Sequence, residues 1–133
     1  MKLYCVRHCE ALSAQEDPQR ALSLRGCAEA NKMAQYLVAQ EARVAHILHS
    51  SKCRTRQTAS VFAQVLHGSD VTECDALLSE YMDVMPMVDM IDTWEQDTML
   101  VGHMPFMPRL INRLITGDEN QSAVDHFPVG TVA

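Results

Sequence analysis

Apolar and polar residues along this chain form two kinds of block, which predict short strands and longer helices. Short apolar runs predict four strands, at 2–6, 44–48, 70–74 and 97–103. Longer mixed segments predict four helices, at 23–42, 51–68, 82–94 and 105–118. The tail at 126–133 predicts a last strand that stops early. Strands and helices therefore alternate along the whole sequence.

Three of the predicted helices carry their apolar residues on one side, as expected for helices packed on a sheet. In the first helix this stripe consists of Ala30, Met33, Ala34, Leu37 and Val38. In the second helix it consists of Thr58, Val61, Phe62, Val65 and Leu66. In the last helix it consists of Met107, Leu110, Ile111 and Leu114. We expect these residues to face inward.

The alternation of strands and helices, with short connections, is typical of a three-layer α/β/α sandwich with a mostly parallel central sheet. No linker or internal repeat divides the 133 residues, so we expect a single domain over 1–133. Ligands of such sheets bind beyond the carboxyl ends of the strands. Residues that follow predicted strands are therefore the first candidates for a functional site.

Composition and charge exclude several classes of protein. The net charge of −6 argues against general nucleic-acid binding, which needs a basic face. No apolar run is long enough for a membrane span, and the N-terminus lacks the pattern of a signal peptide. Five cysteines without a CxxC motif do not indicate a disulfide framework. A cytoplasmic location is the expectation.

Four basic side chains follow predicted strands or begin the next helix, namely Arg7, His8, Arg54 and His103. Arginine suits a phosphoryl group, because its guanidinium binds two oxygens at once and stays charged. Arg54 would lie in the first turn of a helix, where free N–H groups also favour anions. A neutral imidazole can attack phosphorus and form a covalent phosphohistidine. These residues predict a phosphoryl-transfer site at the carboxyl edge of the sheet.

Four motifs, in this order, resemble those of the histidine phosphatase superfamily: VRHCEA at 6–11, LSLRG at 22–26, SSKCRTRQTA at 50–59 and LVGHMP at 100–105. The similarity spans nearly the whole chain and implies a phosphoglycerate mutase-like fold. The short length, without an inserted lid, resembles the SixA-type branch of small phosphohistidine phosphatases.

The resemblance implies a role for each matching residue. His8 would be the nucleophile, and Arg7, Arg54 and His103 would bind the phosphoryl oxygens. Water would then release inorganic phosphate, with no metal and no cofactor. The substrate would be a phosphohistidine on a phosphotransfer domain or carrier protein, as in signal transduction, and neither nucleic acid nor membrane would be a partner.

The sequence departs from the superfamily pattern at two positions. Cys9 replaces the usual glycine after the nucleophile, and its Cβ restricts either the backbone or the approach of phosphate. Ala14 stands where many relatives place a phosphate-binding Asn, and Ser13 is the candidate substitute. We interpret Cys9 and Cys53 as inert side chains, with a redox switch as the alternative.

The general acid is the least defined part of the predicted site. The candidates are Glu80 and Asp83, after the third predicted strand, and neither lies in a distinctive motif. A phosphohistidine substrate needs less help from an acid, because imidazole leaves phosphorus more readily than an alkoxide. Two alternatives to a phosphohistidine phosphatase therefore stay open: a small-molecule phosphomonoesterase and a catalytically weak phosphate- or phosphoprotein-binding regulator.

Overall fold

Strands and helices alternate in the order that the sequence predicts. The computed structural model describes residues 1–77, 83–121 and 127–133. Its strands are β1 (Leu3–Arg7), β2 (His46–His49), β3 (Asp70–Glu73) and β4 (Thr98–Gly102). Its helices are α1 (Leu24–Ala39), α2 (Cys53–Leu66), α3 (Met85–Ile91) and α4 (Phe106–Thr116), with a short 3₁₀ turn at Asp75–Leu77. None of the described helices is long and apolar enough to cross a membrane.

The four strands form one parallel sheet in the order β1-β4-β2-β3. β4 lies between β1 and β2, and all five of its residues are buried. In the register, Arg7 at the end of β1 lies opposite Gly102 at the end of β4. The three-layer fold with a parallel sheet is thus confirmed.

Two hydrophobic clusters fill the space on the two faces of the sheet. One joins α1 and α2 to the face that carries Val6, Ile47 and Val101. The other joins α3 and α4 to the opposite face, which carries Cys5 and Leu100. Neighbouring strand residues point to opposite faces, so β1, β2 and β4 each contribute to both clusters, whereas the residues of the edge strand β3 are exposed.

Predicted helix boundaries and faces differ from the structure in places. The helix predicted over 82–94 occupies only Met85–Ile91, with Pro86 in its first turn, and residue 82 lies outside the described part of the chain. Val38 and Leu114 were expected to face inward, but their residues are 46% and 37% exposed. That expectation was wrong for two different reasons: Val38 lies at the edge of the apolar stripe of α1, and Leu114 lies in the last turn of α4.

The tail forms less regular structure than a full strand. Val132 makes a single antiparallel bridge to Val6, and Cys5 and Ala133 exchange two backbone hydrogen bonds of 2.7 and 2.8 Å. The tail therefore runs along the outer side of β1, where it brings Val129 and Gly130 near the carboxyl end of that strand.

The first turn of α1 packs directly on the segment that follows β1. Ser23 caps the helix by accepting a hydrogen bond from Gly26 N–H at 3.0 Å, and its own N–H donates to the Glu10 carbonyl at 3.0 Å. A Cβ at Gly26 would lie 2.0 Å from the Glu10 carbonyl oxygen. Only glycine permits this approach of helix and loop, which explains the glycine of the LSLRG motif.

We predict that Gly26→Ala destabilises the protein by at least about 2 kcal/mol, because a methyl group would overlap a backbone oxygen that cannot move independently. Helix propensity alone gives the opposite sign, with alanine favoured by up to about 1 kcal/mol. Urea unfolding measures the difference, with Ala28→Gly at an exposed position of α1 as the propensity control. A stabilised Gly26→Ala variant would contradict the close contact.

Candidate active site

The carboxyl edge of the sheet holds a basic cavity, which we call the cup. His8 N–H donates to the Gly102 carbonyl at 3.1 Å, which fixes the residue after β1 against the end of β4. The cavity has a volume of about 290 Å³. Its lining consists of Arg7, His8, Glu10, Ala11, Arg20, Arg54, His103, Met104 and Val129. The fold thus brings all four of the predicted basic residues together.

His8 is held in one tautomer by its own loop. Its Nδ1 lies 2.8 Å from the Cys9 carbonyl oxygen, which can only accept, so Nδ1 carries the proton and Nε2 carries the lone pair. Burial, followed by the charges of Arg54 and Arg7, lowers the pKa of His8 to about 4, against the opposing effect of the bond to Cys9. The ring is therefore neutral at pH 7, as a nucleophilic imidazole must be.

Cys9 fits the site without backbone strain. Among the non-glycine residues that the structure describes, positive φ occurs only at Arg20, Glu41 and His67, so Cys9 does not need the conformations open to glycine. Its side chain is 1% exposed and belongs to the core cluster under α1 and α2, and it does not line the cup. Burial, followed by the nearby Glu29, raises the pKa of this thiol to about 11, which supports an inert side chain.

Helix α2 positions both the loop after β1 and the start of α1. Thr58 Oγ1 accepts from Cys9 N–H at 3.1 Å and donates to the Arg54 carbonyl at 2.8 Å. Gln57 Oε1 accepts from Leu22 N–H at 2.6 Å. These contacts give a structural reason for the Gln and Thr of the third motif, SSKCRTRQTA, since they connect the segment that bears Arg54 with the segment that bears His8.

His103 is connected to the rest of the site through Ser50. Ser50 is fully buried, and its Oγ lies 2.5 Å from His103 Nε2 and 2.7 Å from Thr55 Oγ1. The rings of His8 and His103 are 5.5 Å apart and tilted by 56°. Burial, followed by the charges of Arg54 and His8, lowers the pKa of His103 to about 3.

Three buried side-chain nitrogens have no hydrogen-bond partner among the described residues, and all three belong to the cup: Arg7 Nε, Arg54 Nε and His103 Nδ1. Buried polar groups are normally paired, and each exception costs about 1–3 kcal/mol. Burial also lowers the pKa of Arg7 and Arg54, because it disfavours their charged forms. A tetrahedral oxyanion would relieve both costs, since it supplies several acceptors and negative charge.

Arg20 and Glu10 also line the cup, although the motif comparison assigned neither to it. Arg20 lies in the loop between β1 and α1, with Nε donating to the Leu12 carbonyl at 3.0 Å. The sequence places Arg20 in the segment after the first strand, but no motif or spacing separated it from the other basic residues of the chain. Glu10 Oε1 accepts from Ser23 Oγ at 2.9 Å, so this carboxylate is held by the cap of α1.

The other predicted residues lie outside the cavity or outside the described chain. Ser13 is exposed, and its Oγ accepts from Glu16 N–H at 3.2 Å in a local turn. Asp83 is exposed and accepts from Met85 N–H at 3.0 Å, at the start of α3. Neither lines the cup, and Glu80 is not among the described residues. Their roles in substrate binding and acid catalysis stay predictions.

The chemistry of the cup favours an anion over a cation. No group of three or more His, Cys, Asp or Glu residues in the described ranges is arranged to hold a metal ion. Three guanidinium groups and one carboxylate line the cavity. The family resemblance implies that activity requires no metal, and this stays a prediction. The excess of positive charge in the cup supports it.

The low pKa values of the two cup histidines predict a loss of stability in mild acid. Histidine in the unfolded chain has a pKa of about 6.5, whereas His8 and His103 have values of about 4 and about 3 in the folded protein. As the pH falls from 6.5 towards 4, the unfolded chain binds more protons, so the free energy of unfolding decreases.

We expect His103→Gln to make this decrease smaller, because the variant lacks one group that the unfolded state protonates preferentially. Urea unfolding at several pH values between 7 and 4 measures the effect. His67→Asn, at the exposed end of α2, is the control for losing a histidine elsewhere. Identical pH dependence in the wild type and His103→Gln would contradict the assignment.

Comparison with known proteins agrees with this geometry. A sequence profile of the histidine phosphatase superfamily (branch 1) matches residues 3–84. Among curated proteins, no sequence match is found. A protein assigned as the phosphohistidine phosphatase SixA from Agrobacterium tumefaciens has 26% identity and a TM-score of 0.79, with coverage of 98% of this chain and 88% of that chain.

Two further solved structures share the fold at lower identity. The protein histidine phosphatase SixA complexed with tungstate has a TM-score of 0.85 at 22% identity, with coverage of 99% of this chain and 85% of that chain. Phosphoglycerate mutase from Plasmodium falciparum has a TM-score of 0.64 at 15% identity, with coverage of 84% and 66%. The matched family, the parallel sheet and the paired histidines agree, and the chain belongs to the histidine phosphatase superfamily, branch 1, with a phosphoglycerate mutase-like fold.

Proposed function

We propose that this protein is a phosphatase that hydrolyses phosphohistidine on a protein substrate, through a phosphohistidine formed on its own His8. The observation that carries the proposal is the bond from His8 Nδ1 to the Cys9 carbonyl, at 2.8 Å. It leaves the Nε2 lone pair on a neutral ring that lines a cavity with three arginines. The same cavity therefore holds a nucleophilic nitrogen and the arginines that would bind the phosphoryl group.

In the first step, the Nε2 lone pair of His8 attacks phosphorus and the P–N bond of the substrate breaks. The released imidazole keeps the electron pair of that bond and takes up a proton from solvent. In the second step, water attacks the phosphorus of phosphorylated His8 and gives up a proton to solvent, inorganic phosphate leaves, and His8 regains its lone pair. Arg7 and Arg54 stabilise the charge on the phosphoryl oxygens in both steps.

The arrangement of carboxylates favours phosphohistidine over ordinary phosphomonoesters. Cleavage of a phosphomonoester needs a proton for an alkoxide, and general acids typically contribute about 10²–10⁴-fold to such steps. Among the described residues, Glu10 is the carboxylate that lines the cup, and it accepts a bond from Ser23. Asp83 bonds the start of α3 instead. A substrate with a better leaving group suits this site.

The purified protein should release phosphate from a histidine phosphotransfer domain phosphorylated with phosphoramidate, and much more slowly from an alkyl phosphomonoester such as β-glycerophosphate, whose leaving group is an alkoxide. We expect His8→Ala to lower the rate by at least about a thousandfold, because it removes the nucleophile. His46→Ala is the matched control. His46 lies at the amino end of β2, away from the cup, and its ring hydrogen-bonds Gln96. Rapid acid-free quenching with radiolabelled substrate should trap an acid-labile phosphoryl group on the wild type alone.

Each alternative function gives a different result in the same experiment. Faster turnover of the alkyl phosphomonoester than of the phosphorylated domain would support a small-molecule phosphomonoesterase. Binding of the phosphorylated domain without turnover of either substrate would support a regulator. Both results contradict the proposal.

Ser50 offers a second test, of the role of His103. When Ser50 donates to Nε2, the ring proton stays on Nδ1, and this otherwise unpaired nitrogen becomes a donor for a phosphoryl oxygen. Groups that orient an active imidazole typically contribute about 10–100-fold to activity. We expect Ser50→Ala to lower kcat/KM by that factor, with Ser60→Ala at an exposed position of α2, outside the cup, as control.

Nitrogen-15 NMR of the His103 ring distinguishes this positioning role from a general loss of structure. The wild type should show the Nδ1–H tautomer, and Ser50→Ala should shift the ring towards the other tautomer. Unchanged kcat/KM, or a slower variant with an unchanged His103 tautomer, would contradict the assignment.

A further inference from the structure

A second basic cavity adjoins the cup, and we call it the shelf. It has a volume of about 480 Å³ and is formed by the end of the loop after β1 and the first turn of α2. Its lining consists of Pro18, Gln19, Arg20, Ser51, Lys52, Cys53, Arg54 and Arg56. Arg20 and Arg54 line both cavities, so the shelf is continuous with the site of phosphoryl transfer.

The shelf concentrates positive charge in an acidic protein. The chain has 17 acidic and 11 basic residues, and five of those basic residues line the cup or the shelf. No carboxylate lines the shelf, and none of its four basic residues forms an ion pair with a carboxylate in the described ranges. Like charges that line one cavity repel one another, so an anionic partner would relieve a cost that the folded chain carries.

Lys52 and Arg56 extend this charge away from the chemistry. Both are exposed, and neither lines the cup. Lys52 precedes α2 without a capping side chain, so the free N–H groups of that 14-residue helix add partial positive charge at the same place. A transferred phosphoryl group fits within the cup, which leaves these two residues without a role in its binding.

We propose that the shelf binds acidic side chains that surround the phosphohistidine on the protein substrate. The inference rests on the proposed function, because a phosphohistidine in the cup brings the surface of its carrier against the shelf. Charge complementarity of this kind raises association rates and selects partners. Exposed basic side chains on an open surface suit the carboxylates of a folded protein, because the fold of that protein holds its carboxylates at fixed positions.

The test compares two substrates with the same P–N bond. One is a histidine phosphotransfer domain with an acidic surface around its phosphohistidine, and the other is free phosphohistidine. We expect Lys52→Glu combined with Arg56→Glu to lower kcat/KM for the domain about 10–100-fold more than for free phosphohistidine at low salt. The difference should shrink in 0.5 M salt, a concentration at which screening extends over only about 4 Å.

Two matched controls make the result specific. Arg43→Glu reverses a charge in a separate cavity beside Gly68 and Asp97, next to the start of β2, and should leave the ratio of the two kcat/KM values unchanged. A phosphotransfer domain whose acidic residues are replaced by their amides should lose the advantage that the wild-type enzyme gives to the acidic domain.

The outcomes separate failure of the shelf from failure of the proposed function. Turnover of both substrates by the wild type, with the same ratio of kcat/KM in the double variant, overturns the shelf alone. An equal loss on both substrates also overturns it, because the charges would then act on the phosphoryl group itself. Turnover of neither substrate by the wild type overturns both proposals.

Discussion

The register between β1 and β4 is the constraint on which the whole site depends. Arg7 lies opposite Gly102, and the next residue, His8, donates to the Gly102 carbonyl at 3.1 Å. β4 also pairs with β2, whose end leads into Ser50, and Ser50 N–H donates to the Val101 carbonyl at 3.4 Å. A slip of one residue would turn the side chains of β1 to the other face of the sheet. One central strand thus aligns both motifs that flank it.

Burial sets the protonation state of the histidines in the cup and also has a cost in stability. It keeps the rings of His8 and His103 neutral by lowering their pKa values to about 4 and about 3. It also leaves nitrogens of Arg7, Arg54 and His103 without partners among the described residues. Proteins break the rule of satisfied polar groups mainly at functional sites. The surrounding structure offsets this cost. Thr58 and Gln57 of α2 hydrogen-bond the segment between β1 and α1, and Gly26 of α1 packs against it.

The distribution of charge shows why a net value describes this protein poorly. A chain with a net charge of −6 is expected to repel anions, yet five of its basic residues gather at one edge of the sheet. Three of them line the cup, and the remaining two extend the basic surface along the start of α2. The excess of acidic residues elsewhere leaves this edge as the place where an anionic partner is attracted.

The sequence by itself determined the order of the elements, the parallel α/β sandwich and the edge at which the site lies, because hydrophobic periodicity and strand ends are local properties. It also identified the superfamily, through motifs that place Arg7, His8, Arg54 and His103 at strand ends. Only the tertiary structure decided that Arg20 and Glu10 line the cup, that Cys9 points into the core without strain, and that Ser50 bonds His103. Those outcomes depend on contacts between segments far apart in the chain, and no spacing along the sequence records which loop approaches which helix.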